Sequence, residues 1–437
     1  MENMETDASD NLDFEDSGRA MHSLAARLFP ICRSLTGDGV RETLRILQEH
    51  VPLEIREVPS GTRVFDWVIP KEWNVRDAYV LDPRGEKIID FKKSNLHVLG
   101  YSAPVDATVS LGELQTHLYS LENLPDAIPY VTSYYEERWG FCLPHSQRTG
   151  LVEGDYRVVI DSDLKDGHLT YGELRIAGES EHEILLSTNI CHPSLANNEL
   201  SGPIVTTWLA KWLVSAPRRY SYRIVFIPET IGSLTYMSRH LTELKERVVA
   251  GFNVVCVGDD RAYSYLPSRR GDSLADRAAL AVLRQEHPDF LTYPFLERGS
   301  DERQYCSPGA DLPVASVMRT MYRKYPEYHT SFDDLTVVTP SGLQGGFDAL
   351  RACLELLERN RIYKTTTVGE PQLGRRGLFP TLGTRDWNAR LRATIDLLAY
   401  ADGTRDLMAL AETIDVPVRD LYALVDVLCE TGLLEAV

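Results

Sequence analysis

Apolar positions follow a helical period near the start of the chain and a strand-like period soon after it. From Ala20 to His50 apolar residues recur at helical spacing, interrupted between Ser34 and Gly39, which predicts two helices. Residues 52–115 instead hold short segments rich in β-branched and aromatic residues, separated by Pro and Gly. We therefore predict an inserted small β domain over 52–115.

The middle of the chain alternates strands with helices. Apolar strand segments read EILLSTNI, RIVFIPE, FNVVCVG and LPVASVM, and the segments between and after them have helical periodicity over 201–214, 232–249, 273–285 and 342–357. This order is typical of an α/β fold, in which helices cover both faces of one sheet. The predicted α/β domain comprises residues 18–51 and 116–365.

The two ends differ from this domain. Residues 1–17 carry seven acids and no base, which predicts a disordered acidic tail. Residues 380–437 have the helix, helix, turn, helix pattern of a winged helix-turn-helix. From Arg385 onward this segment has five basic and ten acidic residues, so the attraction to phosphates on which DNA binding depends is missing. We expect it to pack against the main domain or dock a partner.

Composition narrows the classes of partner. The net charge is -18, with 64 acidic against 46 basic residues, which disfavours nucleic acid and anionic membranes. No apolar run is long enough to span a membrane, no signal peptide is recognisable, and the seven cysteines show no C-x-x-C spacing. We expect a cytoplasmic protein with free thiols that acts on a small molecule or short peptide. The sequence is compatible with a homo-oligomer.

The segment STNICHPSLANNELSGP carries the first candidate ligands. His192 follows the end of a predicted buried strand, where open α/β sheets bind ligands. Asn197, Asn198 and Glu199 follow within seven residues, and Cys191 precedes it. An imidazole and a carboxylate close to one strand end are what a zinc site requires.

Two later strands also end in carboxylates. Glu229 ends RIVFIPE and is a candidate general base, although an acid before a helix is also favoured by the helix dipole. Asp259 and Asp260 end the next strand and could ligate a metal or hold an arginine, and turn chemistry explains them equally well.

Two loops complete the set of candidates. The first packs Glu297, Arg298, Asp301 and Glu302 closely, and we predict that Arg298, Asp301 and Glu302 bind substrate. The second reads YRKYPEYHTSFDDL, in which His329 is a candidate metal ligand. The neighbouring Tyr328 is a predicted substrate contact.

The order of these motifs resembles that of the co-catalytic zinc aminopeptidases. The matching segments are His192, ANNELSG, PET at 228–230, GSDE at 299–302 and HTSFDD from 329. From about residue 20, the chain also resembles bacterial aminopeptidase-like proteins that have an inserted β domain and a C-terminal winged helix. The resemblance implies the phosphorylase/hydrolase-like α/β sheet of the zinc peptidases. It also implies that His192 and His329 are metal ligands and that Glu229 is the general base.

Three positions depart from the pattern of that family. Asn198 stands where a bridging Asp is expected, Thr230 where a second Glu is expected, and Val255 in place of a strand Asp. Losing these carboxylates removes charge that would hold two cations together. We therefore expect a single zinc ion held by His192, His329 and Glu199, with Asn198 nearby.

The predicted function is metal-dependent hydrolysis, or acyl transfer, at an amide or peptide bond of a small aminoacyl, peptide or metabolite substrate. The alternative is a degenerate binding module of the same fold that performs no catalysis. This alternative is motivated by the carboxylates that are missing at positions 198, 230 and 255.

Overall fold

The structure is a computed structural model that describes residues 14–378 and 385–437. Its α-helices are α1 (Gly18–Leu28), α2 (Asp38–Gln48), α3 (Leu111–Thr116), α4 (His145–Thr149), α5 (Ser201–Val214), α6 (Ile231–Arg247), α7 (Leu274–Glu286), α8 (Glu302–Tyr305), α9 (Pro340–Arg359), α10 (Arg385–Tyr400), α11 (Leu407–Ile414) and α12 (Tyr422–Glu430).

Strands outnumber helices in the described part of the chain. They are β1 (Glu54–Pro59), β2 (Arg63–Val64), β3 (Trp67–Val68), β4 (Glu72–Leu81), β5 (Lys87–Asp90), β6 (Val105–Ser110), β7 (Leu118–Tyr119), β8 (Phe141–Cys142), β9 (Asp155–Lys165), β10 (His168–Ile176), β11 (Ser180–Asn189), β12 (Tyr220–Ile227), β13 (Val248–Asn253), β14 (Ser264–Leu266), β15 (Leu291–Thr292), β16 (Val314–Met318), β17 (Ile362–Thr365), β18 (Asp402–Asp406) and β19 (Leu434–Ala436).

The main sheet has eight strands in the order β1-β10-β12-β11-β13-β16-β14-β15. Its centre, β12-β11-β13-β16, is parallel, and the antiparallel β10 and β14 flank that centre. The central strands are nearly continuous apolar runs, as expected for parallel strands that are buried on both faces. The carboxyl ends of β11 and β12 therefore meet at one edge of the sheet.

Each face of the main sheet has its own apolar core. On one face, α1, α2, α5, α7 and α9 pack into a core that includes Leu186, Ile224 and Phe252. On the other face, Leu185 and Val225 belong to a core shared with α6 and the small sheet. The prediction of an α/β fold with helices on both faces is confirmed, and the second face is also covered by strands.

The inserted β region is joined to the main domain more closely than the predicted 52–115 boundary implies. Its antiparallel sheet has the order β5-β4-β9-β6, so β9, at residues 155–165, comes from outside the predicted insertion. Conversely, β1 pairs with β10 in the main sheet. Short β-rich segments show strand character but not the sheet in which each strand pairs, which explains the difference.

A winged helix-turn-helix closes the chain, and its sheet begins before the predicted residue 380. The wing has the order β18-β17-β19, with β17 at its centre. At four residues, β17 is too short to give a periodic signal of its own. The unit therefore starts close to residue 361 and includes the end of the predicted α/β segment.

At the other end, the chain is ordered earlier than the predicted boundary of the acidic tail. Residues 14–16 form a short 3-10 helix, and the Phe14 ring stacks on Phe347 with centroids 6.2 Å apart. Gln344 also accepts from the Ser17 N–H and donates to the Phe14 carbonyl, and these contacts order Phe14 to Ser17, whereas residues 1–13 of the predicted tail lie outside the described residues. None of the helices described combines the length and the apolar character needed to cross a membrane.

Candidate active site

The site lies where β11 and β12 end. Asn189 of β11 pairs with Ile227 of β12, so the residues that follow the two strands are brought side by side. His192 is 2% exposed, and its Nε2 lies 3.7 Å from Oε2 of Glu229. The structure thus brings together two of the residues that the sequence indicated.

Glu199 fixes the orientation of the His192 ring. The backbone N–H of His192 donates to Oε1 of Glu199 at 2.8 Å, and Nδ1 donates to Oε2 at 2.7 Å. Both carboxylate oxygens are therefore engaged, and Nε2 is the nitrogen directed toward Glu229. The sequence predicted Glu199 as a ligand, but the structure gives it the role of a carboxylate that orients a ligand. The five-residue π-helix Ala196–Leu200 sets this direction.

Cys191 lies on the opposite side of the His192 ring from the candidate metal position. Its Sγ accepts a hydrogen bond from the backbone N–H of Glu229 at 3.2 Å, and burial raises its pKa to about 12. Donor atoms of Cys191, His192 and Glu199 lie within 4.8 Å of one another. A cation among them would break the Nδ1–Glu199 hydrogen bond, so we place the metal at Nε2. As predicted, the cysteines are free thiols.

His329 completes the pair of imidazoles. Its ring centroid lies 5.4 Å from that of His192, and it stacks on Tyr328 at 3.9 Å. The ring makes no hydrogen bond to the described residues. Burial, His192 and Arg323 together lower the pKa of His329 to about 2, so the ring is neutral and keeps a lone pair for a cation.

The spacing of the two imidazoles is compatible with one shared zinc ion. A ring centre lies about 3 Å from a zinc ion that its nitrogen binds, so two imidazoles on one tetrahedral ion stand about 5 Å apart. The observed 5.4 Å between His192 and His329 agrees with a shared ion. The amide of Asn198 is buried and makes no hydrogen bond to the described residues.

The other carboxylates considered from the sequence are already engaged. Asp259 accepts from Thr320 and from Nδ2 of Asn197, and Asp260 accepts from the hydroxyls of Thr339 and Ser341. Neither acid replaces the missing strand carboxylate. At that position, Val255 packs in an apolar cluster with Met318 and Tyr322.

Two of the predicted substrate contacts lie in or beside the GSDE loop. Glu302 accepts from Asn253, Tyr322 and two backbone N–H groups, so it holds the loop together. Arg298 is exposed and stacks on Phe295 at 4.9 Å. Glu302 is thus engaged within the loop, and the substrate contacts of Arg298 and Glu302 stay predictions.

Within this loop, Asp301 is the residue that contacts the end of β12. Its Oδ1 accepts from the backbone N–H of Thr230 and from the hydroxyl of Ser233, whereas its buried Oδ2 has no partner among the described residues. Burial, followed by the charge of Glu229, raises the pKa of Asp301 to about 7. Burial also raises the pKa of Glu229, as a general base requires.

Sequence reasoning missed a pair of tyrosines that cover the site. The Tyr130 ring lies 4.9 Å from that of His192 and 5.2 Å from that of His329. Its backbone N–H donates to the carbonyl of His329 at 2.8 Å, and its hydroxyl lies 3.1 Å from that of Tyr134. The only signal was the aromatic run PYVTSYY, which has no helical or strand period.

A buried arginine, which the sequence also did not indicate, hydrogen-bonds to the backbone of His192. Arg33 is 1% exposed, and its Nε donates to the carbonyl of His192 at 2.9 Å. Its Nη1 donates to the carbonyl of Leu28. The positive charge lies near Glu199 and offsets the burial of that carboxylate. Arg33 directly precedes the predicted break at Ser34 to Gly39, and no motif marks it.

Backbone strain is concentrated around these residues. Tyr134, Thr230, Arg323 and His329 all have positive φ, at 38°, 64°, 62° and 57°. Such conformations cost about 1–3 kcal/mol each in residues other than glycine, and they persist at sites where geometry matters for function. Their grouping supports a functional site at the ends of β11 and β12.

Comparisons with known proteins agree with the geometry. The family model described as "Domain of unknown function (DUF4910)" matches residues 22–360, and a winged helix-turn-helix model matches residues 361–436. A Clostridium acetobutylicum protein is 44% identical over 424 residues, which is 97% of each chain. It is named "Putative polysaccharide biosynthesis protein with aminopeptidase-like domain".

Solved structures show the same fold. A crystal structure described as a "putative peptidase" from Clostridium acetobutylicum is 43% identical, covers 97% of each chain and has a TM-score of 0.91. The zinc aminopeptidase BSAP from Bacillus subtilis has a TM-score of 0.57 at 14% identity, covering 78% of this chain and 94% of that one. The chain thus has an aminopeptidase-like fold and a C-terminal winged helix-turn-helix domain, as the resemblance implied.

Proposed function

Since the chain belongs to the DUF4910 family and has the aminopeptidase-like fold, we propose that it is a zinc-dependent hydrolase of amide bonds in small substrates. One observation carries this proposal. Nε2 of His192 lies 3.7 Å from Glu229, a partly exposed carboxylate whose pKa is raised by burial, and the neutral ring of His329 lies 5.4 Å from the ring of His192.

His192 and His329 would hold the ion, with the amide oxygen of Asn198 as a further donor. When bound there, zinc supplies a Lewis acid that polarises the substrate carbonyl and lowers the pKa of water. Glu199 keeps Nδ1 of His192 protonated and Nε2 free, and Arg33 holds the backbone of the same residue.

Glu229 performs the proton transfers. It accepts a proton from the attacking water as the new C–O bond forms, and it delivers that proton to the leaving nitrogen as the C–N bond breaks. Asp301 holds the backbone N–H of the next residue, Thr230, so the end of β12 keeps its strained turn. Tyr130 and Tyr328, whose rings lie against the two histidines, limit the room for substrate and favour small molecules.

The alternative, a binding module without catalysis, is not favoured. It accounts for the missing second set of carboxylates. It gives no reason for a carboxylate with a raised pKa beside two uncommitted imidazole nitrogens, or for strained backbone at the same place.

The test compares the parent protein with Glu229→Gln on a panel of aminoacyl amides, dipeptides and N-acyl amino acids. We expect zinc-dependent release of free amine by the parent and a loss of at least 100-fold in Glu229→Gln, measured by mass spectrometry. Glu246→Gln on the exposed face of α6 is the matched control. Equal turnover by the parent and Glu229→Gln, or no turnover on any member of the panel, would contradict the proposal.

A further inference from the structure

Arg303 is a guanidinium without an acidic partner beside Glu229. Its Nη2 donates to the hydroxyl of Thr230 at 2.5 Å, next to the candidate base. Its Nε is buried and has no hydrogen-bond partner among the described residues. No described carboxylate oxygen lies within 4.0 Å of its nitrogens, although Glu229 and Asp301 are close enough to feel its charge.

The position of Arg303 is fixed by the site itself. Thr230, which receives its hydrogen bond, has φ 64° and ψ -72°, and its N–H is held by Asp301. Arg303 also lies in the first turn of α8, directly after the GSDE residues. The guanidinium is therefore positioned by the same contacts that position Glu229.

Arg323 is a second unpaired guanidinium, on the side of His329. Its Cζ lies 3.4 Å from the place where a Cβ on Gly299 would stand, so it lies over the GSDE loop. The residue is exposed and has φ 62°. It makes no ion pair or hydrogen bond with the described residues, and its charge acts on both His329 and Tyr328.

Unpaired arginines at this site need an explanation. The chain has 64 acidic against 46 basic residues, so carboxylates are available to pair with arginines. A half-buried guanidinium with an unpartnered N–H is costly unless a ligand completes its hydrogen bonds. Its planar fork matches the two oxygens of a carboxylate or a phosphate.

We propose that Arg303, assisted by Arg323, forms an anion subsite, so that the substrate carries a carboxylate or phosphate group next to the bond that is hydrolysed. This rests on the proposed function, because it is that reaction which places the group beside Glu229. It assigns the site to N-acylated or aminoacylated acids and disfavours neutral amides.

The test is calorimetric binding to the full chain loaded with zinc. The probes are N-acetylalanine, N-acetylalaninamide and N-acetyl-O-phosphoserinamide, which present a carboxylate, no anion and a phosphate. We expect at least one anionic probe to bind ten times more tightly than the neutral amide, and the tighter of the two identifies the anion.

Variants assign that preference to the arginines. Arg303→Met should abolish the tenfold preference, Arg303→Lys should keep part of it, and Arg323→Met should reduce it several-fold. Arg45→Met, on the exposed face of α2, is the control and should leave it unchanged. Should Arg303→Met fail to fold, Arg303→Lys and the exposed Arg323→Met carry the test.

The outcomes separate this inference from the proposed function. Absence of any anion preference, no detectable binding of either anionic probe, or a preference that survives in Arg303→Met would overturn the subsite, even if amides are hydrolysed. An anion preference that depends on Arg303 would support the subsite even if no amide in the panel is hydrolysed.

Discussion

Glu199 and His192 show how single residues decide what the site can bind. Both oxygens of Glu199 accept hydrogen bonds from His192, so the carboxylate directs Nε2 toward Glu229 and away from the protein core. Burial alone would lower the pKa of His192, but Cys191 and Glu199 raise it well above its usual value, so a metal at Nε2 would displace a proton. A group that orients a ligand affects metal affinity without touching the metal.

We predict that Glu199→Gln lowers zinc affinity by about 10- to 100-fold, the usual cost of losing such a partner. The reason is that a neutral amide holds the Nδ1 proton less strongly and makes Nε2 a poorer donor. Titration against a chelator of known affinity measures the change. Glu246→Gln serves as the control, and unchanged zinc affinity in Glu199→Gln would contradict the orienting role.

Asp333 supports the same loop from the side of His329. It accepts from the backbone N–H groups of Asn197 and Asn198 and from the hydroxyl of Tyr325. Asp333→Asn should lower the free energy of unfolding by about 1.5–3 kcal/mol, because buried hydrogen bonds to a charged acceptor are lost. Urea denaturation measures this.

Asp334→Asn is the matched control for that change. Among the described residues its carboxylate accepts only from Thr336, at the surface, so a change of about 0.5 kcal/mol or less is expected. Equal effects of the two substitutions would show that Asp333 does not anchor the loop.

At this scale the sequence predicted the residues that follow strands and those in recognisable loop motifs, such as His329, and it missed loop residues that no motif marks. His192 and Glu229 follow apolar runs that mark buried strands, so parallel pairing alone brings them together. Arg33 and Tyr130 lie in segments without period, and they reach the site only through the tertiary fold. The orienting role of Glu199 could not be predicted from the sequence either, because it depends on the direction of a side chain within a π-helix.

At the scale of elements, the helices that flank the main sheet were the most predictable. The segment 201–214 was predicted as a helix and is α5, and 273–285 corresponds to α7 within one residue at each end. Helical periodicity and the capping box of Ser273 with Asp276 define these boundaries locally. The partner sheets of β1, β9 and β17 are determined by contacts distant in sequence, which a local pattern does not contain.

The junction between α7 and the winged helix depends on Asp406. Its carboxylate pairs with Arg277 through two 2.6 Å contacts and also accepts from Asn360 and the N–H of Ala409. Burial alone would raise the pKa of Asp406, but these partners outweigh burial and lower it. The stabilisation is thus fully present above the usual Asp range, near pH 4, and is lost as pH falls through the lowered pKa.

We therefore predict that acidification from pH 7 to below about 4 loosens α11 and α12 before the main sheet. Hydrogen exchange of amides in the two regions measures this. Asp406→Asn should loosen them already at pH 7, and equal protection of α11 in parent and variant at pH 7 would contradict the role of Asp406.

At the scale of the whole molecule, the winged helix is joined to the main domain by ion pairs. Arg419 pairs with Glu286 of α7 and with Glu355 of α9, and Arg359 of α9 pairs with Asp426 of α12. Arginines that a DNA-binding domain would offer to phosphates are here paired with carboxylates of the same chain. The net charge of -18 also disfavours binding to DNA.

The full chain should accordingly show no salt-sensitive binding to duplex DNA. Fluorescence anisotropy with a labelled random duplex at 50 and 200 mM salt is the measurement, with a basic winged-helix protein as positive control. Binding that weakens steeply between the two salt concentrations would contradict the structural role given to this domain.

The central claim is that the aminopeptidase-like scaffold holds one zinc ion between His192 and His329, beside Glu229. The most direct measurement is the anomalous difference density of a crystal soaked in zinc. We expect one peak in contact with Nε2 of His192 and with the His329 ring, and no such peak in His192→Ala. Two peaks about 3.5–4 Å apart, or none at these histidines, would contradict it.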